Sequence, residues 1–337
     1  MPELRQNFIT GEWVVISPER AKRPSDYVVA PELEEKGHDP CRFCIDGPEY
    51  GKRIDGFENE HTYVLPNAYP VFVENPTNCS PRSFVTEGGL YAARPSTGGH
   101  DVVVVKEHTA SLPTFSHQIW ADLLEMTRRR VEYFHQICNV VSTVPIYNHR
   151  RPAGASVRHP HAQIFAANVV PNMLTRELHH TERYFEQHGT CAFCEMIAHE
   201  RKENIRIIYD RDGFIAFTCY AARFPFEIWI LPTDHQSNYE RSTHVQMQHL
   251  ATAMKEIMGK LDHILQDPPL NYFIHTLPSI FHESAHYHWH IEIAPRLATY
   301  GGFEMGAGMI IDVMSPEEAA KELRSSTSRL GVVRSEI

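Results

Sequence analysis

Three polar side chains recur at every second position in the stretch SVRHPHAQIFA, residues 156–166. They are His159, His161 and Gln163, and small or apolar residues lie between them. In an extended strand alternate side chains share one face, so this spacing places two imidazoles and an amide side by side. Such a row can bind a metal, present a nucleophile with its helpers, or form an ordinary polar strand face.

Cysteine and histidine residues form a second pattern, which is repeated along the chain. Each copy has a CxxC pair, then a histidine, then the first histidine of an alternating strand. The copies are Cys41, Cys44, His108 and His159, followed by Cys191, Cys194, His235 and His286. In both copies 51 residues separate the two histidines, from 108 to 159 and from 235 to 286. The chain is therefore predicted to be duplicated.

Two further observations bear on this repeat. Asn148 precedes His159 by the same interval that separates His275 from His286, so one offset of 127 (275 minus 148) relates all three pairs. The interval from the CxxC pair to the next histidine is longer in the first copy, from Cys44 to His108, than in the second, from Cys194 to His235. An insertion of about two dozen residues in the first copy, in the Gly- and Pro-rich 74–99 stretch, explains the difference.

Each copy offers two thiolates and two imidazoles, the four-ligand set that suits tetrahedral zinc. We predict one zinc site from each set of four residues. Because four protein ligands leave no open coordination position, both sites are predicted to be structural. The alternatives are buried thiols beside unrelated histidines, or a redox CxxC, which needs no distant histidine partners. If His159 binds zinc, the chemistry passes to His161 on the same face.

The composition excludes several classes of protein. The formal net charge of -10 disfavours electrostatic binding to nucleic acid or to an anionic membrane. No apolar run approaches the ~20 residues that a membrane helix needs. The N-terminal segment MPELRQNFITGEWVV lacks the basic region, apolar core and cleavage site of a signal peptide. We therefore predict a cytoplasmic protein.

Hydrophobic periodicity indicates the same elements in both copies. A strand (DVVVVKEH; FEIWILPTDH) leads through a polar turn into an amphipathic helix, and two further strands follow. The predicted helices are SHQIWADLLEMTRRRVEYFHQI and THVQMQHLATAMKEIMGKLDHIL. Repeats of this length are typical of duplicated half-domains rather than solenoids. We predict an N-terminal half over 1–170, a polar linker over 171–189 and a C-terminal half over 190–337.

The segment NHRRPAGASVRHPHAQIFA resembles the active-site segment of galactose-1-phosphate uridylyltransferases and related nucleotidyltransferases of the histidine-triad superfamily. The resemblance extends over most of the chain, through SPERAKRPSDY, CRFC, VLPNAYP, HYHWHIEIAPRL and GGFEMGAG. It implies an α+β fold of two histidine-triad-like half-domains, each an antiparallel sheet with helices packed on one side. It also implies a homodimer with the active site near the subunit interface.

By this resemblance His161 is the nucleophile, and Gln163 contacts the phosphoryl group. The ring would displace a sugar 1-phosphate from a nucleotide sugar, and a second phosphate would attack the nucleotidyl-histidine. Gln163 can donate a hydrogen bond but cannot shuttle a proton, which favours transfer to a phosphate over transfer to water. The resemblance assigns substrate contacts to Arg20, Arg23, Asn67, Asn148, Gly154, Ala155, Ser156, His288, His290, Phe303 and Glu304. Without the resemblance, Arg20 and Arg23 would read as a solvated basic turn.

The C-terminal half leaves more than one interpretation open. His288 and His290 resemble positions that contact substrate or bind a second metal in some family members, together with Glu177 and His275. A structural role in a polar strand face is the alternative. The segment ATYGGFEMGAGMIID has Ala298 where well-known bacterial members have a sugar-contacting lysine. This form looks more like the branch that includes plant ADP-glucose phosphorylase.

Four functional hypotheses follow. The first is ping-pong transfer between UDP-glucose and galactose 1-phosphate. The second is an ADP-glucose or related nucleoside-diphosphate-sugar phosphorylase. A dinucleoside polyphosphate hydrolase is disfavoured by Gln163, and a zinc-stabilised binding module without catalysis is disfavoured by the intact His161, Gln163, Ser156 and Arg23. The sequence leaves the base and the acceptor open.

Overall fold

The structure is a computed structural model that describes residues 1–20, 41–74, 85–87 and 90–326. The strands are β1 (Glu3–Gln6), β2 (Trp13–Ile16), β3 (Thr62–Pro66), β4 (Val85–Glu87), β5 (Tyr91–Ala93), β6 (Gly98–Val105), β7 (Ser142–His149), β8 (His161–Ala167), β9 (Ile207–Arg211), β10 (Phe214–Thr218), β11 (Ile228–Pro232), β12 (Leu270–His275), β13 (His290–Pro295) and β14 (Ile310–Asp312). The helices are α1 (His117–His135), α2 (Asn172–His188), α3 (Ala192–Glu203), α4 (His244–Leu265), α5 (Gly302–Ala307) and α6 (Pro316–Ser325).

One antiparallel sheet of nine strands organises the chain, in the order β3-β6-β8-β7-β12-β13-β11-β10-β9. The first four strands come from the N-terminal half and the last five from the C-terminal half. The halves join where β7 pairs with β12, over Leu270↔His149 to Phe273↔Ile146. We call this pair the seam. The predicted α+β class, with duplicated antiparallel halves, is confirmed, and the two sheets are continuous.

Strand registers show how the two copies correspond. Tyr147 of β7 pairs with Ala162 of β8, and Ile274 of β12 pairs with Ile291 of β13. Tyr147 and Ile274 are related by an offset of 127 (274 minus 147), but Ala162 and Ile291 by an offset of 129 (291 minus 162). For β8 and β13, the second strands after α1 and α4, the offset is therefore 129, two residues larger than the 127 of the sequence repeat. In consequence His159 corresponds to His288, and His161 corresponds to His290.

The predicted insertion in the first copy is located by the same registers. Thr62 of β3 pairs with Val105 of β6, and Phe214 of β10 pairs with Pro232 of β11. Val105 and Pro232 are related by an offset of 127 (232 minus 105), whereas Thr62 and Phe214 are related by an offset of 152 (214 minus 62). The larger second offset means that the insertion lies between β3 and β6. The hairpin β4-β5 belongs to this stretch and pairs outside the main sheet.

The two predicted amphipathic helices form α1 and α4 and pack on the same face of the sheet. Ser116 caps α1 by accepting a hydrogen bond from the Ile119 amide, and Thr243 with Gln246 forms a capping box on α4. Their apolar sides share one buried cluster with Ala162, Ile164, Ile228, Ile230 and Ile291 of the strands. Because alternate strand residues point to opposite faces, His161 and Gln163 lie on the face away from these helices.

In the N-terminal half the loop around Phe43 packs on the opposite face, and in the C-terminal half helices cover it. There Leu174 of α2 and Phe193 of α3 pack on Ile215 and Phe217 of β10. The segment 171–189, predicted as a polar linker, forms α2 and buries one side of that helix. The prediction that each half has helices on one side is wrong for this half, because the connecting segment and α3 supply a second helical layer. The domain boundaries themselves remain predictions.

A separate sheet of three strands, β1-β2-β14, brings the two ends of the described chain together. Its β2-β14 pair is parallel, and the other pair is antiparallel. Arg5 of β1 binds Glu317 of α6 at 2.9 Å. Among the residues described, none of the helices has both the length and the apolar character required to cross a membrane.

Candidate active site and metal centres

His161 opens β8 on the face that no described helix covers in the N-terminal half. It pairs with Val104 of β6, and Gln163 pairs with Val102 of the same strand. The His161 side chain is enclosed, with the residue 7% exposed, and the ring of Phe43 meets it edge-on at 5.4 Å. The predicted row of alternating polar residues is thus present, with Ala162 and Ile164 turned into the opposite core.

The hydrogen bonding of His161 leaves one ring nitrogen available. Its Nδ1 lies 2.7 Å from the His159 carbonyl oxygen, so Nδ1 carries the proton and donates it. The Nε2 lone pair is then free. Burial lowers the pKa of His161 below its ordinary value. The ring is therefore neutral near pH 7, the state in which an imidazole acts as a nucleophile.

Gln163 is held by a histidine that the sequence analysis missed. Oε1 of Gln163 lies 3.0 Å from Nε2 of His100, which is buried and stacked on Phe165 at 4.1 Å. If His100 donates from Nε2, Gln163 must accept through its oxygen and turn its NH₂ group the other way. Nδ2 of Asn67 lies 3.1 Å from the same ring nitrogen, a contact rather than a hydrogen bond, because Nε2 cannot accept while it donates to Gln163.

The sequence offers one indication of His100: it lies two residues before Val102 on a strand whose side chains alternate between the two faces of the sheet. His100, Val102 and Val104 all lie on the His161 face because side chains alternate along β6. Burial lowers the pKa of His100, so the ring stays neutral and keeps a single donor. His100 thus donates to the predicted phosphoryl contact, Gln163, and lies beside the predicted base-binding position, Asn67.

The end of β7 and the loop before β8 carry four predicted substrate contacts. Asn148 accepts a hydrogen bond of 2.7 Å from Nδ2 of Asn271 across the seam, and Asn271 also donates to the Ala153 carbonyl at 2.7 Å. Gly154 ends a short turn at φ +93°, a conformation that favours glycine. Ala155 is half-buried and Ser156 is exposed. Asn271, which the sequence analysis missed, fixes this loop to the other half.

Several predicted substrate contacts are not brought to His161. Arg20 is exposed, and Arg23 lies outside the described residues. Phe303, half exposed on α5, makes no ring contact with His161 in the described part of the chain. Glu304 accepts from the Gly301 amide at 2.9 Å. The remaining two, His288 and His290, are fully buried.

The first predicted zinc site combines Cys41 and Cys44 from the loop before β3, His108 from the turn after β6, and His159, two residues before β8. Sγ of Cys41 lies 3.4 Å from Nδ1 of His159, and Sγ of Cys44 lies 3.3 Å from Nδ1 of His108. The two imidazole Nδ1 atoms are 3.1 Å apart. Zinc with bonds of about 2.0–2.3 Å spaces tetrahedral ligands by roughly 3.3–3.8 Å. These four residues therefore fit a structural zinc ion.

The second cysteine pair gathers a different histidine from the one predicted. Cys191, Cys194, His235 and His288 place their ligand atoms within 4.8 Å of one another. Sγ of Cys194 lies 3.4 Å from Nδ1 of His235 and 3.8 Å from Nδ1 of His288. His286 was predicted instead, but its ring faces α2, near Thr181 and Phe185. The correction follows from the offset of 129, because His288 is the counterpart of His159.

Hydrogen bonds to the outer ring nitrogens support zinc binding at both centres. Nε2 of His159 donates to the Val105 carbonyl at 2.6 Å, and Nε2 of His288 donates to the Pro232 carbonyl at 3.0 Å. Such bonds fix the tautomer that leaves Nδ1 unprotonated for the metal. Val105 and Pro232 are themselves counterparts in the two halves, so the copies share this support.

A third group of possible metal ligands is buried in the C-terminal half. Its members are Glu177, His275, His290 and Glu292. Nδ1 of His275 lies 2.7 Å from Oε1 of Glu177. Burial lowers the pKa of His275, but the negative charge of Glu177 outweighs this effect, and the pKa is raised. Nε2 of His290 and Oε1 of Glu292 have no hydrogen-bond partner in the described region. The expected pairing of Glu177 and His275 with His288 is wrong, because His288 belongs to the cysteine centre.

We expect metal analysis of protein purified without chelators to find close to two zinc ions per chain. Cys41→Ser should lose one of them and destabilise the fold, because three ligands hold zinc weakly. His288→Ala should lose the other, whereas the matched variant His286→Ala should keep both. Zinc-free wild-type protein, or loss of zinc from His286→Ala with retention in His288→Ala, would contradict the assignment.

Two family models match the chain. The galactose-1-phosphate uridyl transferase N-terminal domain matches residues 1–171, and the C-terminal domain of the same name matches residues 177–331. ADP-glucose phosphorylase of Arabidopsis thaliana is 34% identical over 332 residues, which cover 96% of this chain and 92% of that protein. Galactose-1-phosphate uridylyltransferase of Thermotoga maritima is 29% identical over 336 residues, which cover 97% of this chain and 99% of that protein.

A solved structure is similar over nearly the whole chain. The crystal structure of an ADP-glucose phosphorylase from Arabidopsis thaliana with bound ADP-glucose has a TM-score of 0.82 at 31% identity. The match covers 97% of this chain and 99% of the other. The resemblance inferred from the sequence is thereby confirmed for both halves.

Proposed function

The chain belongs to the galactose-1-phosphate uridylyltransferase family of nucleotidyltransferases, and we propose that it transfers a nucleotidyl group through a covalent intermediate on Nε2 of His161. The observation that carries this proposal is the hydrogen bond from Nδ1 of His161 to the His159 carbonyl. That bond leaves Nε2 unprotonated, with its lone pair free, on the sheet face away from α1. We propose a nucleotide sugar as donor and a phosphate or sugar 1-phosphate as acceptor.

The proposed reaction has two displacements. The Nε2 lone pair of His161 attacks the α-phosphorus, a P–N bond forms, and the P–O bond to the sugar 1-phosphate breaks. The ring becomes positively charged, and its Nδ1 proton stays hydrogen-bonded to the carbonyl of His159. An oxygen of the second phosphate then attacks the same phosphorus. The P–N bond breaks, its electron pair returns to Nε2, and the ring is neutral again.

Gln163 supports transfer to a phosphate rather than to water. An amide group donates a hydrogen bond to a phosphoryl oxygen but cannot take a proton from an attacking water. A phosphate acceptor is already ionised and needs no such base. The zinc centres would hold the loop around Cys41, the start of α3 and the start of β8 in place. Zinc would supply structural stabilisation there, since each centre has four protein ligands.

For the substrates we propose UDP-glucose and galactose 1-phosphate, the pair favoured by the sequence analysis and by the family name. ADP-glucose with phosphate is the second candidate. It is supported by the 34% identity to the Arabidopsis thaliana phosphorylase and by the likeness of GGFEMGAG to that branch. Asn67, the proposed base contact, is compatible with either base because an amide both donates and accepts.

Intact-mass analysis tests this proposal directly. The protein is mixed separately with UDP-glucose and with ADP-glucose and kept alkaline, because phosphoramidates are labile to acid. A uridylyl adduct would support the first candidate and make galactose 1-phosphate the first acceptor to test. An adenylyl adduct would support the phosphorylase. Absence of an adduct with both donors would contradict the proposed substrates.

The pH dependence of adduct formation follows from the burial of His161. Its pKa is lowered, so the neutral nucleophile persists below the ordinary histidine pKa of about 6.5. Single-turnover rates at saturating donor should therefore fall at a lower pH than they would with an ordinary histidine. A rate that halves near pH 6.5 would mean that His161 titrates as an exposed histidine does.

His100 is proposed as a positioning residue for Gln163. His100→Phe keeps a ring to stack on Phe165 but removes the donor, so the Gln163 amide loses its fixed orientation. We expect adduct formation to slow by about 10- to 100-fold, the usual effect of a small misplacement. Melting temperature and zinc content should be unchanged. The control His117→Phe, on α1, should retain the wild-type rate, and a wild-type rate in His100→Phe would contradict the role.

A homodimer is proposed on the resemblance to the family. Phe303 and Glu304 lie on α5 and make no contact with His161 in their own chain among the described residues. A partner chain would bring them to the site if the active site lies near the subunit interface. Light scattering on the purified protein checks the assembly, and a monomeric mass would contradict it. We propose a cytoplasmic enzyme on the composition.

A further inference from the structure

The side chain of Asn148 lies next to His161 on the sheet. Tyr147 of β7 pairs with Ala162 of β8, so the next positions along the two strands, Asn148 and His161, are also cross-strand neighbours. Both point to the face away from α1, because Tyr147 and Ala162 belong to the core that α1 covers. Directly opposite side chains have Cβ atoms about 4.5–5.5 Å apart, so Asn148 can contact a phosphoryl group bonded to His161.

The same row of side chains continues across the seam to Asn271. Asn271 of β12 lies opposite Asn148 of β7. Nδ2 of Asn271 donates to Oδ1 of Asn148 at 2.7 Å and to the Ala153 carbonyl at 2.7 Å. His161, Asn148 and Asn271 thus occupy neighbouring positions on three adjacent strands, and the third of these strands belongs to the C-terminal half.

Two partners determine which way the Asn271 amide is turned. A backbone carbonyl can only accept, so the NH₂ group of Asn271 has to face Ala153. A guanidinium can only donate, and Nη1 of Arg296 lies 3.4 Å from Oδ1 of Asn271. Turning the amide round would set oxygen against oxygen at Ala153 and nitrogen against nitrogen at Arg296. The orientation of Asn271 is therefore fixed.

The orientation of Asn148 follows from that of Asn271. Because Asn271 presents its NH₂ group, Asn148 has to accept through Oδ1, and its own NH₂ group is turned to the other side. Nδ2 of Asn148 donates to no residue in the described part of the chain. It faces Gly154, where an added Cβ would lie 3.7 Å from this nitrogen. An oriented donor is thus left beside the loop that is predicted to contact the phosphate.

We propose that Asn271 is a positioning residue that holds the Asn148 amide with its NH₂ group aimed at the phosphoryl group on His161. This inference rests on the proposed function, since it concerns the group that His161 would carry. A donor that is already oriented needs no rearrangement when charge develops on the phosphoryl oxygens. His100 orients Gln163 in a comparable way, so the C-terminal half would complete a site whose other known parts lie in the N-terminal half.

Asn271→Leu removes the donor and adds no charge. Asn148 then loses its fixed orientation, and we expect adduct formation on His161 at saturating nucleotide sugar to slow by about 10- to 100-fold. Asn172→Leu, an exposed change at the start of α2, serves as the control and should react as the wild type does. A wild-type rate in a folded Asn271→Leu refutes the role. Asn271→Ala, which needs no additional room, gives the same test if the leucine variant does not fold.

A double-mutant cycle separates orientation of Asn148 from general packing at the seam. If Asn271 acts through Asn148, Asn271→Leu should slow a chain that already carries Asn148→Ala by less than about threefold. A purely structural role would slow both backgrounds by the same factor. Equal slowing in the two backgrounds therefore overturns the proposal.

Binding of unreactive ligands distinguishes failure of this inference from failure of the proposed function. Isothermal titration of the full chain compares UMP with uridine and AMP with adenosine, so the ratio of the two affinities reports the phosphoryl contacts alone. Asn271→Leu should lower that ratio at least about threefold and leave the affinity for the nucleoside unchanged, since only the donor to the phosphoryl group is displaced. An unchanged ratio refutes the positioning role even if the adduct forms on His161.

The wild-type chain supplies the remaining comparison. A lowered ratio in Asn271→Leu, together with no adduct in the wild type, would contradict covalent transfer but support the oriented Asn148 amide. Failure of the wild type to bind either nucleotide more tightly than its nucleoside would overturn both the positioning role and the proposed function.

Discussion

Replacing His161 by alanine is expected to abolish the nucleotidyl adduct and to lower turnover by at least about 10⁴-fold, since the variant lacks the atom that forms the covalent bond. Gln163 and Asn67 would still bind the nucleotide sugar, so the donor should retain affinity. Intact mass gives the adduct directly, and release of sugar 1-phosphate gives the rate. An adduct of normal mass and rate in His161→Ala would place the nucleophile elsewhere.

Two variants separate loss of chemistry from loss of structure. His161→Gly leaves space for a free imidazole, and added imidazole should restore part of the release of sugar 1-phosphate. His179→Ala, an exposed histidine on α2, should react as the wild type does. His161→Ala should also keep both zinc ions and the wild-type melting temperature. A chain that only binds nucleotides would show no adduct in the wild type.

The second large effect is expected at Arg223. Its guanidinium pairs with Glu227 at 2.7 Å and also with Glu292, and both carboxylates are 0% exposed. Arg223→Met would leave two buried carboxylates without their cation. Breaking a buried ion pair from one side destabilises a protein by about 3–5 kcal/mol, much more than deleting a surface pair. Denaturation by urea or heat should show the loss.

Matched changes identify the cause of that loss. Arg201→Met removes a pair with Asp210 in which both partners are partly exposed, and it should change stability by less than about 1 kcal/mol. Combining Arg223→Met with Glu227→Gln and Glu292→Gln removes the unpaired charges as well. That triple variant should recover part of the lost stability. A triple variant less stable than Arg223→Met alone would argue that packing, not charge, dominates.

The sequence predicts the four residues that come together at the first centre, but at the second centre it predicts one wrong histidine. All histidines of HYHWH alternate, so His286, His288 and His290 share one face in any extended conformation. A shift of two residues keeps the face, and side-chain alternation cannot detect it. Only the pairing of β12 with β13 reveals that the connection before β13 is two residues longer than its counterpart. At the first centre HPHAQ has just two candidates, and His159 was identified correctly.

The main sheet and the two long helices were predictable because their patterns are local. Ser116 and Thr243 stand where caps are expected, and apolar residues follow the helical period. The role of 171–189 was less accessible. Leu174 and Leu178 lie four residues apart, as on one helix face, but polar residues dominate the composition. What that helix covers depends on contacts with β10 and on residues far along the chain.

His100 could not be found from spacing alone. Its neighbours in the site come from the end of β3 and from β8, and the registers of β6 with these two strands bring Asn67 and Gln163 to it. Its place two residues before Val102 puts it on the His161 face, but the local sequence does not show that it meets Gln163. The same holds for Asn271, whose partner Asn148 is 123 residues away. Long-range pairing determines both contacts.

The seam also sets a condition on synthesis. Until β12 emerges from the ribosome, the N-terminal half carries β7 as an open edge, with the backbone groups of residues 146–149 unpaired. The chain must be extended from His149 to His275 first, so at about 5–20 residues per second the edge waits roughly 6–25 s for its partner. Exposed edges pair readily with other chains. Nascent chains of this protein therefore pass through an aggregation-prone interval that ends only when the C-terminal half arrives.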